Sequence, residues 1–274
     1  MSSQQVQTGV QRIADVFAHA RTDGRAALMP YLMGGYPTLE DSLRIGEACV
    51  HAGADMLELG LPYSDPLADG PVIHAAGTRA LEAGANVAGV LEVARGLAAS
   101  VPVVLMGYAN MVLAPGADAF VARLKRAGVC GLIVPDLPLE ESPQIGEACT
   151  VHGLALVPLI APTTPPERMA AIGAQAQGFV YAVSVVGTTG ERAALSDRFA
   201  EILAAAKAST EAPVALGFGI GTPEQARMAA DAGADGVIVG TRLVRAAGEA
   251  LAAGEDPAVA VGAAVAELAA GLRR

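Results

Sequence analysis

A carboxylate sits where apolar residues dominate. Residues 55–71 read DMLELGLPYSDPLADGP, with Glu58 between two leucines in a run that has the composition of a core strand. A charge there is costly unless it is paired or used. Strand side chains alternate, so Met56, Glu58 and Gly60 share one face and Leu57 and Leu59 the other. With the leucines against a helical layer, Glu58 points inward. Burial raises a carboxyl pKa, which suits a group that both gives and takes a proton near neutral pH. Taken alone, the residue reads equally well as a core glutamate satisfied by hydrogen bonds or an arginine. The following loop adds Asp65 and Asp69, fenced by Pro62, Pro66, Gly70 and Pro71. Prolines reduce the entropy cost of holding a carboxylate in place. Loop aspartates more often shape turns or cap helices, but two of them beside a strand-end glutamate suggest acid–base chemistry.

A second cluster comes late. The run Gly217-Phe218-Gly219-Ile220-Gly221 leads into Thr222-Pro223-Glu224-Gln225, which has the form of a helix capping box. Further on, Val239-Gly240-Thr241-Arg242 opens another helix. Glycines at helix N-termini let backbone N–H groups approach an anion, so the expected ligand is a phosphate. The stretch 186–192, VGTTGER, has the makings of a lid. The only lysines, Lys125 and Lys207, fall in helical windows, which disfavours a Schiff base. So do His19, His51, His74 and His152, and no metal site is expected. What remains is carboxylate acid–base chemistry on a small phosphorylated substrate.

These residues need a scaffold, and the chain repeats one. Residues 47–62, 123–138, 169–184 and 228–240 each run from a helix ending near Gly into a short apolar strand. Continuous apolar strands are expected in a parallel sheet buried on both faces. Eight strands are predicted near 28–33, 55–60, 102–107, 130–135, 154–160, 178–184, 213–218 and 236–239. Helical windows lie near 39–52, 72–99, 116–127, 139–152, 165–174, 195–208, 222–232, 241–252 and 257–272. The pattern predicts an α/β fold, a single (βα)8 TIM barrel spanning 1–274, with an extra N-terminal helical segment in 1–22 packed on it. A doubly wound open sheet is the runner-up, but no G-x-G-x-x-G follows the first strand. In such a barrel, polar groups at strand C-termini do the chemistry, and the loops after strands 7 and 8 bind phosphate.

Composition narrows the function. Hydrophobic residues make up 53% and charged residues 17%, enough for a large core, and the net charge of -10 disfavours nucleic acid as partner. No apolar run reaches ~18 residues, so no membrane span is expected. The N-terminus lacks an apolar signal region, and Cys49, Cys130 and Cys149 form no C-x-x-C pair. A cytoplasmic location with free, buried thiols follows as the expectation.

The stretch LELGLPYSDPLADGP at 57–71 closely resembles the signature of tryptophan synthase alpha subunits. So do YLMGGYP at 31–37, MGYAN at 106–110, VPDLPLEE at 134–141 and the loop at 217–225, in family order. The resemblance implies a barrel that cleaves indole-3-glycerol phosphate to indole and glyceraldehyde 3-phosphate. It implies a β-subunit partner in an α2β2 heterotetramer, with pyridoxal phosphate only in that partner and no cofactor in this chain. By the same resemblance, Glu58 is the principal acid–base residue, Asp69 its partner at the indole nitrogen, and Tyr181 an active-site tyrosine. Tyr31 and Met106 line the indole pocket; Gly190, Gly219, Gly240 and Thr241 bind phosphate. Asp65 faces the β subunit, and Thr189 is a lid residue that helps position the catalytic loop. The chain has Val185 where many members carry Arg, and Thr188 where many carry Val. That altered lid is the one feature supporting an alternative, a non-catalytic phosphate-binding partner of the β subunit.

Overall fold

In the computed structural model, which describes residues 7–184 and 192–273, apolar strands alternate with helices along the chain. The strands are β1 (Ala27–Met33), β2 (Leu57–Gly60), β3 (Val103–Met106), β4 (Gly131–Ile133), β5 (Ala155–Val157), β6 (Leu159–Ile160), β7 (Val180–Val183), β8 (Val214–Gly217) and β9 (Gly236–Val239). The helices are α1 (Gly9–Thr22), α2 (Leu39–His51), α3 (Pro71–Glu82), α4 (Val87–Ala98), α5 (Ala109–Leu113), α6 (Ala117–Arg126), α7 (Pro143–His152), α8 (Pro166–Ala174), α9 (Arg192–Ala208), α10 (Pro223–Asp231), α11 (Thr241–Ala253) and α12 (Pro257–Leu272). All strand pairs are parallel, in the order β5-β4-β3-β2-β1-β9-β8-β7-β6. The result is the expected (βα)8 barrel, with one amendment. The predicted fifth strand is two short ones, divided at Pro158, which has no N–H for a ladder bond. Val157 pairs with Ile133 of β4, whereas Leu159 pairs with Tyr181 of β7. The Pro158 carbonyl still accepts from the Tyr181 N–H at 2.9 Å, so the proline marks where the barrel closes.

Two helical windows also differ. The window 72–99 is two helices, because Gly84 takes φ +87 and the Asn86 side chain caps α4 by accepting from Gly89 N–H. The window 139–152 opens with a single 3-10 turn at Leu139–Glu141 before α7 starts at Pro143. In three of the four repeats the terminal glycine is left-handed: Gly53, Gly128 and Gly233. The other repeat ends its helix differently. At Gly173 a β-carbon would lie 1.9 Å from the Ser209 carbonyl, so close approach demands the glycine there.

Helix α1 seals the end of the barrel away from the strand C-termini. Its Phe17 ring packs on Phe179, which precedes β7, with centroids 5.6 Å apart. At the same end Asp55 ties β1 to β2. It accepts from both terminal nitrogens of Arg25, at 2.6 and 2.8 Å, and from Leu28 N–H at 2.7 Å. Bidentate, partly buried pairs of this kind hold strand register. Asp55→Ala leaves the Arg25 charge and a backbone N–H short of an acceptor. A loss of about 2 kcal/mol is expected, read as a lower midpoint of urea unfolding.

Candidate active site

Strand register brings the predicted residues together. Tyr31 pairs with Glu58 across β1 and β2, and Met106 pairs with Gly60 across β2 and β3. All four side-chain directions turn to the barrel interior by alternation. Tyr181 of β7 leans over β8, where a β-carbon on Gly217 would stand 2.4 Å from its hydroxyl. One cavity of about 460 Å³ opens at the C-terminal ends of the strands, with Tyr31, Glu58, Asp69, Met106 and Tyr181 in its wall. Gly219, Gly240 and Thr241 belong to the same wall. Asp65 does not: it is exposed on the loop after β2, close to Leu67, which is 79% exposed. Thr189 and Gly190 lie outside the described residues, as do Val185 and Thr188.

Glu58 is 1% exposed, and neither carboxyl oxygen has a hydrogen-bond partner. Burial, reinforced by the charge of Asp69, pushes its pKa up to about 8. The group is therefore mostly protonated at neutral pH, and it is not the glutamate satisfied by an arginine that the sequence also allowed. Asp69 is half-buried, and burial raises its pKa too. A hydrogen bond from the Tyr108 hydroxyl to Oδ1 at 3.0 Å and the nearby His74 work in the opposite direction. The same Tyr108 hydroxyl accepts from Ala68 N–H at 3.1 Å, so it pins the loop as well as the carboxylate. Its ring stacks on Tyr63 at 5.1 Å. Sequence reasoning gave Tyr108 no role; an aromatic hydroxyl just past the end of β3 was the available signal.

The far end of the cavity is built from backbone. Phe218 and Gly219 both have positive φ, 69 and 80 degrees. The Ser184 hydroxyl holds this turn by donating to the carbonyls of Gly217 and Phe218. The capping box at Thr222 is present as predicted. It has a consequence the sequence did not reveal: Gln225 Oε1 accepts from Gly221 N–H at 2.8 Å and from Thr222 N–H at 3.1 Å. Those two amides are thus committed, and Gly219 with the first turn of α11 is left to meet an anion. Helix α11 starts at Thr241 with no side-chain cap; Leu243 N–H turns back to the Gly240 carbonyl at 2.9 Å, which leaves the N–H groups of Thr241 and Arg242 for a ligand. Arg242 of that turn donates to the Gly221 carbonyl at 2.9 Å and pairs with Glu267, which braces the loop. Among the described residues no three His, Cys, Asp or Glu side chains gather to hold a metal. The cavity thus pairs an apolar, phenol-lined chamber holding two carboxyls with an amide-rich end suited to a phosphate.

Comparison with known proteins fits this arrangement. Residues 17–273 match the family model described as tryptophan synthase alpha chain. The tryptophan synthase alpha chain of Synechococcus elongatus is 48% identical over 234 residues, covering 85% of this chain and 88% of that protein. That of Carboxydothermus hydrogenoformans is 49% identical over 237 residues, covering 86% and 88%. Among solved structures, tryptophan synthase from M. tuberculosis in an open form superposes with TM-score 0.87 at 39% identity, covering 96% of this chain and 99% of that one. Tryptophan synthase subunit alpha from Legionella pneumophila gives TM-score 0.87 at 36% identity, covering 95% and 98%.

The raised pKa of Glu58 carries a stability consequence. Its folded value of about 8 lies above the ordinary 4.5, so the folded state favours the neutral form. Stability is then fully present below about 4.5 and falls as pH rises toward 8. Glu58→Gln removes this dependence. Its unfolding free energy from urea titration is expected to exceed that of the parent chain at pH 8, by a few kcal/mol at most, with the margin shrinking toward pH 4.5.

Proposed function

The chain belongs to the tryptophan synthase alpha chain family, and from that membership we propose that the cavity holding Glu58 and Asp69 is where its substrate is cut. As the alpha subunit in tryptophan biosynthesis the chain is a lyase, cleaving indole-3-glycerol phosphate to indole and glyceraldehyde 3-phosphate. The bond broken joins indole C3 to the hydroxylated chain. Cleavage needs an electron sink, and the indole ring becomes one once C3 is protonated. For this reason the alpha reaction needs no cofactor; pyridoxal phosphate belongs to the β subunit.

The make-up of the cavity supports the following residue roles. Glu58, neutral at rest, gives its proton to C3; Asp69, ionised, faces the ring N–H and stabilises the positive charge that develops there. The Glu58 carboxylate then takes the proton of the chain hydroxyl as the carbon–carbon bond breaks, and its starting state is restored. The proton balance closes: C3 gains one and the hydroxyl loses one. Tyr181, kept neutral by burial and by the charge of Glu58, presents a hydroxyl to the substrate chain. Tyr31 and Met106 bound the indole ring, and Gly219, Gly240 and Thr241 take the phosphate, with Gly190 of the lid. The single observation that carries this reading is the buried, unpaired Glu58 in one cavity with the late glycine turns.

The working form we propose is an α2β2 heterotetramer in the cytoplasm, each alpha chain one barrel domain. Exposed Asp65 beside exposed Leu67 supports a contact to the β subunit, with Thr189 helping to position the loop. No helix among the described residues is long and apolar enough to cross a membrane. A non-catalytic, phosphate-binding role is not favoured, because both carboxyls face the cavity.

Three outcomes are expected. Glu58→Gln should keep affinity for a substrate analogue while indole release falls at least ~100-fold; retained release removes Glu58 from its role. The profile of kcat/KM should fall as pH rises through about 8, where Glu58 loses the proton it must donate. On the acid side it should fall where Asp69 protonates, at a pH above the ordinary aspartate value. Asp65→Ala should weaken activation by the β subunit in a mixing titration, and unchanged activation counts against an interface role.

A further inference from the structure

Two arginines of α11, Arg242 and Arg245, line the cavity together with Gly240 and Thr241. Arg242 is engaged: it donates to the Gly221 carbonyl at 2.9 Å and pairs with Glu267. Arg245 is not. It is exposed, and among the described residues its guanidinium has neither a hydrogen bond nor an ion pair. A helical side chain leans back toward the N-terminus of its helix and covers the preceding turn. Arg245 follows Thr241 by four residues, about 6 Å along the axis and on the same face. Its side chain therefore leans over the first turn of α11, where the N–H groups of Thr241 and Arg242 are without an acceptor. The ionic charges that act on Glu58 and Asp69 are those of Asp69 and His74 respectively, and Arg245 is not among them. The cation thus stands at the amide end of the cavity, apart from the acid–base pair.

We propose that Arg245 is a substrate-binding residue of this site, its guanidinium closing over a phosphate group seated on the first turn of α11. The proposal rests on the reading of this cavity as the place of a phosphorylated substrate. A helix N-terminus supplies only about half an elementary charge. A phosphate monoester brings close to two negative charges at neutral pH, to a chain whose own net charge is -10. The amide end therefore holds the anion better with a full positive charge beside it. Both lysines sit on helices outside the cavity wall, Lys125 on α6 and Lys207 on α9. The charge of Arg242 is met by Glu267. Arg245 has no such counter-charge, and its planar fork can donate to two phosphate oxygens at once. The phosphate lies at the far end of the substrate from the bond that breaks. Its contact with Arg245 is made in the ground state and the transition state alike, so it acts on binding and leaves the chemical step alone.

Arg245→Gln and Arg245→Lys test this with little risk to folding, since the side chain is exposed and unpaired. Glycerol 3-phosphate and free indole are the probes, each titrated by NMR into the full-length parent chain and both variants. At low salt Arg245→Gln is expected to bind glycerol 3-phosphate about three- to tenfold more weakly, with Arg245→Lys recovering most of the loss. The gap should close at about 0.5 M salt, where screening shortens the reach of the charge. Affinity for indole should be the same in all three proteins. In turnover, KM for indole-3-glycerol phosphate should rise in Arg245→Gln by the same factor, with kcat within about twofold. Equal affinity of parent and Arg245→Gln for glycerol 3-phosphate would overturn the proposal. So would a lysine variant as weak as the glutamine one, or an equal loss of affinity for indole, which would mark a displaced wall and not a lost charge. The titrations need no turnover. If the parent chain binds glycerol 3-phosphate but releases no indole, the proposed reaction fails and the Arg245 result still stands; if the parent does not bind it at all, both fail.

Discussion

A carboxyl group held out of water with neither oxygen bonded is a burden a barrel strand carries only if something is gained. Desolvation of Glu58 removes stability as pH rises, and no arginine offsets it. In the proposed reaction the gain is a proton held at a pKa near 8 inside an apolar chamber, to be given to carbon and recovered from oxygen. The surrounding design follows from that constraint. Leu57 and Leu59 lock the other face of β2 into the core, so Glu58 cannot turn away from the cavity. The Asp69 charge adds to the cost of ionising Glu58.

Aromatic groups shape the chamber, and glycines make room for them. Tyr31 leans over Gly60 and Tyr181 over Gly217, in each case onto the strand next in the barrel. The glycines matter here for lack of a side chain, not for unusual dihedral angles. Burial keeps both phenols neutral, so they remain donors. At the other end, the wall relies on backbone amides. Ser184 and Arg242 brace that turn, and Gln225 takes up the two amides that would otherwise compete for an anion.

Several features were legible in the chain because they are local. Alternation in DMLELG put Glu58 on the inward face. The recurring glycine-terminated helices gave the parallel barrel, and Thr222 to Gln225 spelled out a cap that the structure contains. Misses came where a local signal was outweighed. A long Ala-rich window read as one helix, yet Gly84 and Asn86 end and restart it. A single apolar run at 154–160 read as one strand, yet Pro158 splits its pairing between β4 and β7.

By itself the sequence determined which residue types face inward and which chemistry they exclude, because side-chain alternation, capping and backbone freedom act within a few residues. Only closure of the barrel decided that Glu58, Tyr31, Tyr181 and Gly240 share one wall, since strands far apart in the chain become neighbours through the sheet order. Closure also decided the protonation state of Glu58 and the partner of Asp69. Both depend on which atoms replace water around a carboxyl, and that is set by packing across the barrel rather than by the residues on either side in the chain.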